Sequence, residues 1–96
     1  MESIEGKTAI VTGGGSGIGR ATALAFARAG ARVLVADVDQ EEGNNTVSLI
    51  DAAGGKSLFV AADVSQGDQV ESMVDTAVST WGRLDFAFNN AGIQGD

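Results

Sequence analysis

The sequence predicts an α/β protein with a doubly wound parallel sheet, and two observations carry this prediction. Short apolar runs alternate with longer segments in which apolar residues recur every three or four positions. The first apolar run leads directly into a glycine-rich turn and then into a helix. The segments between the apolar runs are long enough for the crossover helices that parallel strands need. We therefore expect the order β-α-β-α-β-α-β in one domain, residues 1–96.

Each predicted strand is an apolar run bounded by turn residues. The strands are residues 7–12, 32–36, 58–61 and 84–89. In the first, Ala9, Ile10 and Val11 form an unbroken apolar centre, as expected for a strand buried on both faces of a parallel sheet. The usual doubly wound order is 3-2-1-4, with helices on both faces and the ligand at the switch point between strands 1 and 4. The prediction is thus a three-layer α/β/α domain.

The helices are predicted from their periodicity and their caps. They are placed over residues 18–29, from Asp39 to Gly54, and from Ser65 to Gly82. Two pairs resemble capping boxes, namely Asp39 with Glu42 and Ser65 with Asp68. The second helix has the weakest pattern, because it contains Gly43, Asn44 and Asn45.

Composition limits the classes of function. A net charge of −7 disfavours a nucleic-acid or anionic-membrane partner, since either needs a positive face. The chain has neither Cys nor His, so it lacks a thiolate nucleophile, disulfides and the commonest metal ligands, and we expect no metal site. No apolar run approaches the ~20 residues of a membrane span, and the first strand follows Met1 too closely for a signal peptide. We expect a cytoplasmic protein.

The glycine-rich turn is the strongest functional signal. Residues 12–19 read Thr-Gly-Gly-Gly-Ser-Gly-Ile-Gly, a spacing that differs from Gly-x-Gly-x-x-Gly. Such a turn needs glycine at the bend, where a diphosphate approaches the backbone, and where helix packs against strand, which are roles for Gly13, Gly17 and Gly19. The following helix offers N–H groups and its positive dipole end to an anion. The alternative is an ordinary loop that needs positive φ.

This spacing resembles the short-chain dehydrogenase/reductase family, and three later landmarks fit it in order: Asp37, Asp63-Val64 and Asn89-Asn90-Ala91-Gly92. The resemblance covers nearly the whole chain. It implies a Rossmann-like, NAD(P)-binding domain. The cofactor-binding residues that it implies are Gly13, Ser16, Gly17, Ile18, Gly19, Asp37, Asp63, Val64, Asn90, Ala91 and Gly92.

Asp37 favours NAD over NADP. A carboxylate at this distance from the glycines is placed to hydrogen-bond the adenosine ribose, and it would repel a 2′-phosphate. NADP-preferring relatives often carry Lys or Arg where this chain has Ser16. Arg20 is the nearby cation, and we expect it to be solvated on the first turn of its helix. Alternatively, Asp37 is a solvated turn residue before the Asp39 cap.

The resemblance also implies roles for the two later landmarks. The Asp63 carboxylate would accept a hydrogen bond from the adenine amine, with the Val64 backbone N–H on the ring; otherwise Asp63 is a turn or capping residue. In the Asn-Asn-Ala-Gly motif, one Asn would tie neighbouring strands through side-chain-to-backbone bonds. The backbone of Ala91 and Gly92 would pass close to the cofactor ribose. The alternative is an Asn-rich turn.

The family's catalytic residues have no counterpart in this sequence. Its relatives use a Tyr with a Lys four residues later, whereas this chain has no Tyr, and neither Lys7 nor Lys56 could complete such a pair. We therefore expect the NAD-binding half of an oxidoreductase that transfers hydride between NAD(H) and a secondary alcohol or ketone. The 96 residues should stop before the catalytic half and be inactive alone, and the full-length protein should be a homo-oligomer.

Two other functions remain open. One is a stand-alone, non-catalytic dinucleotide-binding or regulatory module, and the other is a structural domain without a ligand. Leu84, Phe86 and Phe88 count against a stand-alone module, because their apolar alternation suits a buried strand and not a sheet edge.

Overall fold

The computed structural model describes residues 3–90. Within this part of the chain, strands and helices alternate as the sequence predicts. The elements are β1 (Thr8–Thr12), α1 (Gly17–Arg28), β2 (Arg32–Asp37), α2 (Gln40–Ala52), β3 (Lys56–Ala61), α3 (Gly67–Trp81) and β4 (Phe86–Asn89). The strands form a parallel sheet in the order β3-β2-β1-β4, which confirms the predicted doubly wound arrangement.

The helices cover the two faces of this sheet. Helices α1 and α2 pack on one face, over a core that includes Val11, Val33 and Val35. Helix α3 packs on the other, where Met73 and Ala77 contact the side of the sheet that carries Ile10 and Leu34. The change of face follows from right-handed crossovers, because the chain moves outward from β1 to β3 and then returns across β1 to β4. The switch point therefore lies between β1 and β4, and in doubly wound folds ligands bind at the carboxyl ends of the strands beside such a point.

Strand β1 is the centre of the domain, and each of its five residues is buried. It pairs with β2 on one side and β4 on the other. On the α1 face, the rings of Phe26 and Phe86 lie 5.5 Å apart, which joins α1 to β4. Among residues 3–90, no helix combines the length and apolar character needed to cross a bilayer.

Two strands begin two residues away from their predicted starts. Strand β3 starts at Lys56, which pairs with Arg32, because backbone pairing extends past the apolar run into two polar residues. Strand β4 starts at Phe86 and not at residue 84. The Asp85 carboxylate accepts the hydrogen bond of the Thr8 N–H at 2.9 Å, so a side chain takes the place of a backbone ladder partner there.

The predicted N-cap is confirmed at α2, without the reciprocal bond of a capping box, and the cap predicted at α3 is wrong. Asp39 is the N-cap of α2, and its carboxylate accepts a hydrogen bond from the Glu42 N–H at 3.0 Å. Ser65 does not cap α3, which has Gln66 at its N-cap and no side-chain capping bond. The Ser65 hydroxyl donates instead to Asp63 Oδ1 at 2.7 Å, so Ser65 belongs to the preceding turn.

Gly43 explains why α2 has a weak helical pattern. It is buried in the helix, and a β-carbon at this position would overlap the ring of Phe59 on β3. The glycine lowers the intrinsic helix propensity, but its missing side chain lets α2 approach the sheet closely. Tertiary packing therefore outweighs local propensity here.

Candidate functional site

The turn between β1 and α1 has the geometry that the glycine spacing predicts. Gly13 and Gly17 have φ angles of +64° and +56°, which L side chains rarely adopt. A β-carbon on Gly17 would have no atom within 4 Å, so open space lies beside this stretch of backbone. A β-carbon on Gly19 would overlap the carbonyl oxygen of Gly13, because the helix packs directly on the turn.

The first turn of α1 faces this open space. Ser16 is its N-cap, has an extended backbone and makes no side-chain capping bond. A hydrogen bond from Arg20 N to Ser16 O opens the helical ladder, so the N–H groups of residues 17–19 precede that ladder and have no partner within the helix. These donors, together with the helix dipole, suit an anion. Ile18 is 65% exposed beside them.

Two further glycines of the turn are required by close approaches that sequence reasoning did not assign. A β-carbon on Gly14 would lie 3.0 Å from Cγ1 of Val35. On Gly15 it would lie 2.8 Å from Asp37 Oδ2 and 2.9 Å from the β-carbon of Glu42. The run of three consecutive glycines was the signal in the sequence, because β-carbons on Gly14 and Gly15 would come too close to β2 and α2.

Asp37 ends β2 directly beside this turn. Its Oδ2 accepts a hydrogen bond from the Gly15 N–H and its Oδ1 accepts one from the Asp39 N–H, each at 2.9 Å. A carboxylate has about four lone-pair sites, so both oxygens can still accept from a ligand. Val38, the next residue, is 72% exposed and was missed by sequence reasoning. The turn-residue role and a ligand role of Asp37 are therefore compatible.

Arg20 is not a solvated cation, contrary to expectation. Its Nε donates to the hydroxyl of Thr46 at 2.9 Å, and its Nη2 lies 3.0 Å from Glu42 Oε1. Thr46 is fully buried and donates its own hydroxyl to the carbonyl oxygen of Gly14 at 2.8 Å. The glutamate of the predicted capping box thus pairs with Arg20 and not with the backbone of its own helix. This network fixes α1, α2 and the turn together.

Asp63 lies just after β3, at the same edge of the sheet. The preceding residue, Ala62, donates its N–H to the carbonyl oxygen of Asp37, which places Asp63 next to the end of β2. Its Oδ1 accepts bonds from the hydroxyl and the N–H of Ser65, and these bonds lower the pKa of the Asp63 carboxyl. Asp63 is thus a turn residue that keeps an ionised carboxylate. Val64 is half-buried against the α3 core.

The two asparagines at the end of β4 connect it to β1. The Thr12 hydroxyl donates to Asn89 Oδ1 at 2.9 Å, and Asn90 Nδ2 donates to the carbonyl oxygen of Gly13 at 3.2 Å. Asn90 is only 4% exposed. One asparagine therefore ties its strand to the neighbouring turn by a side-chain-to-backbone bond, as the motif implies. Ala91 and Gly92 lie outside the described residues.

Comparison with known protein families accounts for this arrangement. The family model of the short chain dehydrogenases matches residues 7–96. This chain belongs to the short chain dehydrogenase family. The membership rests on a match to most of the chain and agrees with the order of the landmarks along it.

Individual relatives support the same assignment. The chain is 47% identical over 95 residues to "Short chain dehydrogenase/reductase astE" of Aspergillus oryzae, covering 98% of this chain and 36% of that protein. It is 49% identical over 90 residues to "Tropinone reductase-like 2" of Erythroxylum coca, covering 94% and 32% respectively. The chain thus spans about a third of the length of these relatives.

Solved structures share the fold as well. A short chain dehydrogenase/reductase from Burkholderia phymatum in complex with NAD superposes with a TM-score of 0.87 at 39% identity, covering 91% of this chain and 31% of that one. The hydroxysteroid dehydrogenase from Escherichia coli gives a TM-score of 0.87 at 36% identity, covering 90% and 37%.

A cavity elsewhere in the described residues does not coincide with the site. This cavity has a volume of about 440 Å³ and lies along the free edge of β3, beside Lys56, Ser57 and Trp81. Lys56 and Ser57 begin β3, so this cavity is at the opposite end of the parallel strands from the glycine turn. Its lining does not include the turn, Asp37 or Asn90.

Proposed function

We propose that this chain is the NAD-binding part of an oxidoreductase that transfers hydride between NAD(H) and a secondary alcohol or ketone. The observation that carries the proposal is the open, donor-rich turn at Gly17, which lies at one sheet edge with the Asp37 carboxylate. An anion and a diol can be bound there by neighbouring groups. A dinucleotide presents both, as a diphosphate and an adenosine ribose.

The diphosphate would lie against the first turn of α1. Gly17 leaves room for the approach, and the N–H groups of residues 17–19 supply donors. The exposed Ile18 would cover an apolar part of the ligand. These residues bind and orient; the chemistry that the bound cofactor supplies is hydride transfer at its nicotinamide ring.

The adenosine would lie over the ends of β2 and β3. Asp37 would accept hydrogen bonds from the ribose hydroxyls, and its charge would oppose a 2′-phosphate, so the proposal specifies NAD over NADP. Asp63 would accept a hydrogen bond from the adenine amine through its carboxylate, whose pKa the Ser65 bonds lower. Val64 would contribute its backbone N–H to the same ring.

The remaining assigned residues would support the cofactor near the switch point. Asn90 would act by holding the Gly13 carbonyl and so the bend of the turn. Ala91 and Gly92, as small residues after β4, would let the cofactor ribose pass close to the backbone. The Burkholderia phymatum relative was solved in complex with NAD, which supports this cofactor class here.

Catalysis would require groups outside these residues. The sequence has no Tyr, so under this proposal the acid/base residue would have to come from another part of the protein. A non-catalytic dinucleotide-binding module is the second candidate, and the missing Tyr is the observation that favours it. Turnover of alcohols by the full-length protein would favour the oxidoreductase over the non-catalytic module.

The proposal extends to the setting of the protein. A net charge of −7 disfavours nucleic acid and anionic membranes as partners. We also propose that the protein is cytoplasmic. We further propose that the full-length protein is a homo-oligomer. Light scattering of the purified full chain tests the oligomer directly, and a monomer at micromolar concentration would contradict it.

The test of cofactor binding is calorimetric titration of the full chain with NAD and, separately, with NADP. We expect saturable binding, with NADP at least about tenfold weaker, which is ~1.4 kcal/mol. Asp37→Asn should weaken the binding of NAD and reduce the difference between the NAD and NADP affinities. The exposed control Asp75→Asn should leave both affinities unchanged. A folded protein that binds neither nucleotide would refute the proposal, and tighter NADP binding would refute the NAD preference alone.

A further inference from the structure

Arg20 occupies an unusual position among the cations of this chain. The sequence has six Lys and Arg residues. Five of them lie where strands begin or where α1 ends, so they are at the amino ends of the parallel strands, whereas the glycine turn is at the carboxyl ends. These five are Lys7, Arg28, Arg32, Lys56 and Arg83. Arg20 alone follows the turn, on the first turn of α1. It is therefore the one cation near the place proposed for the adenosine.

The guanidinium of Arg20 is already engaged by α2. Glu42 Oε1 pairs with Nη2 at 3.0 Å, the Glu42 carbonyl oxygen lies 3.3 Å from the same nitrogen, and the Thr46 hydroxyl accepts from Nε at 2.9 Å. The side chains of Arg20 and Glu42 are 29% and 44% exposed, so the pair is partly removed from water. Such a pair is harder to open than one on a free surface.

Glu42 and Asp37 also lie on the same side of the turn. The position of a β-carbon on Gly15 would be 2.8 Å from Asp37 Oδ2 and 2.9 Å from the β-carbon of Glu42. The two acidic residues therefore stand next to each other beside the turn. Any phosphate bound next to Asp37 would meet the charge of Glu42, and the nearest cation would already be neutralised.

We infer that Glu42 is a second determinant of cofactor choice, which acts by holding Arg20 in an ion pair and so denying it to the 2′-phosphate of NADP. The inference rests on the proposed dinucleotide site and assigns it a residue beyond Asp37. A guanidinium freed from Glu42 is a strong phosphate ligand, because its planar donors match phosphate oxygens. Removing Asp37 alone leaves Arg20 paired with Glu42, so we expect it to raise the affinity for NADP only slightly.

The experiment is a calorimetric comparison of NAD and NADP binding in an Asp37→Ser background of the full chain. We expect Glu42→Gln added to Asp37→Ser to tighten NADP about tenfold, the scale of one charge-assisted contact, and to change NAD less than threefold. Adding Arg20→Gln to this double variant should abolish the gain. Glu41→Gln, which removes a charge from the same exposed turn of α2, is the matched control and should give NADP less than a threefold gain.

The outcomes separate this inference from the function on which it rests. The role of Glu42 would be overturned by any of three results: Glu42→Gln does not raise the affinity for NADP, the increase persists without Arg20, or Glu41→Gln gives the same increase. None of these results would contradict NAD binding. If the folded, unchanged chain binds neither nucleotide, the proposed function and this inference both fail. Thermal unfolding of each variant verifies folding. Should Glu42→Gln unfold, Glu42→Asp shortens the carboxylate and should give a smaller gain that still depends on Arg20.

Discussion

The side-chain amide nitrogen of Asn90 lies 3.2 Å from the carbonyl oxygen of Gly13. The same oxygen faces the α-carbon of Gly19, where a β-carbon would overlap it. One carbonyl of the turn is therefore enclosed by the end of β4 on one side and by α1 on the other. The shape of the turn depends on both contacts.

Asn90→Ala should destabilise the fold, because the part-buried Gly13 carbonyl would lose its side-chain donor. Loss of a partner from such a group typically costs about 1–3 kcal/mol. Urea unfolding measures the loss. Asn89→Ala is the control and should cost less, since Asn89 is exposed and its amide oxygen accepts a hydrogen bond from the Thr12 hydroxyl. Equal losses for the two variants would contradict the role given to Asn90.

Gly19→Ala should damage both stability and the turn. The added β-carbon would overlap the Gly13 carbonyl, and overpacking of this kind typically costs about 1–3 kcal/mol. Gly67→Ala is the matched control, because it also changes the first turn of a helix and its β-carbon would meet no atom within 4 Å. We expect this control to be neutral or stabilising. Thermal unfolding of both variants, and calorimetry with NAD, measure the effect; two similar midpoints would count against the packing argument.

Asp85 should make the fold sensitive to acid over a defined range. The Arg83 side chain and the Thr8 N–H hydrogen-bond its carboxylate, and they lower the pKa of Asp85 from 3.8 to about 2. A lowered pKa in the folded state means that ionisation favours folding. This contribution is complete above about pH 4 and disappears as the pH falls towards 2.

Asp85→Asn should therefore lower the free energy of unfolding at pH 7, and the deficit should shrink between pH 4 and pH 2. Denaturant unfolding at a series of pH values measures the difference. The exposed Asp75 on α3 supplies the control substitution Asp75→Asn, which should follow the unchanged chain at every pH. A deficit for Asp85→Asn that stays constant down to pH 2 would rule out this account.

Gly43→Ala tests whether packing or propensity decides the stability of α2. Propensity alone predicts a gain of about 1 kcal/mol for alanine in a helix. We expect a net loss instead, because the β-carbon would overlap the Phe59 ring. Phe59→Val should relieve the overlap, so that Gly43→Ala becomes favourable in that background. A double-mutant cycle by urea unfolding measures the coupling, and simple additivity would refute it.

The sequence was sufficient for the fold because its signals are local. Apolar runs, helical periodicity and the glycine spacing each act within a few residues, and they predicted the order of elements correctly. The sheet order 3-2-1-4 followed from the usual arrangement of doubly wound folds and is also confirmed. The strand ends were less predictable: β3 begins in the polar residues Lys56 and Ser57, and at β4 the Asp85 side chain takes over a backbone contact. Such details depend on the neighbouring strand.

The parts of the site that sequence reasoning missed depend on contacts between distant elements. Arg20 was expected in solvent, but its partners Glu42 and Thr46 are 22 and 26 residues away, on a helix whose approach no local pattern reveals. The spacing of Glu42 from Asp39 predicted the cap correctly, but it did not reveal that the Glu42 carboxylate bonds Arg20. Ser65 shows the converse, since a nearer acceptor, Asp63, competed with the helix for its hydroxyl.

The connection between β1 and β4 also constrains the order in which the protein can assemble. The side-chain bonds that join them, including those of Asp85, Asn89 and Asn90, link residues 76 or 77 positions apart in the chain. Closing so long a loop is entropically costly and belongs to the slow, non-local part of folding. A ligand that binds at the carboxyl ends of these strands consequently meets only molecules in which β1 and β4 have already paired. It should slow unfolding and raise the melting temperature by mass action without accelerating the folding rate.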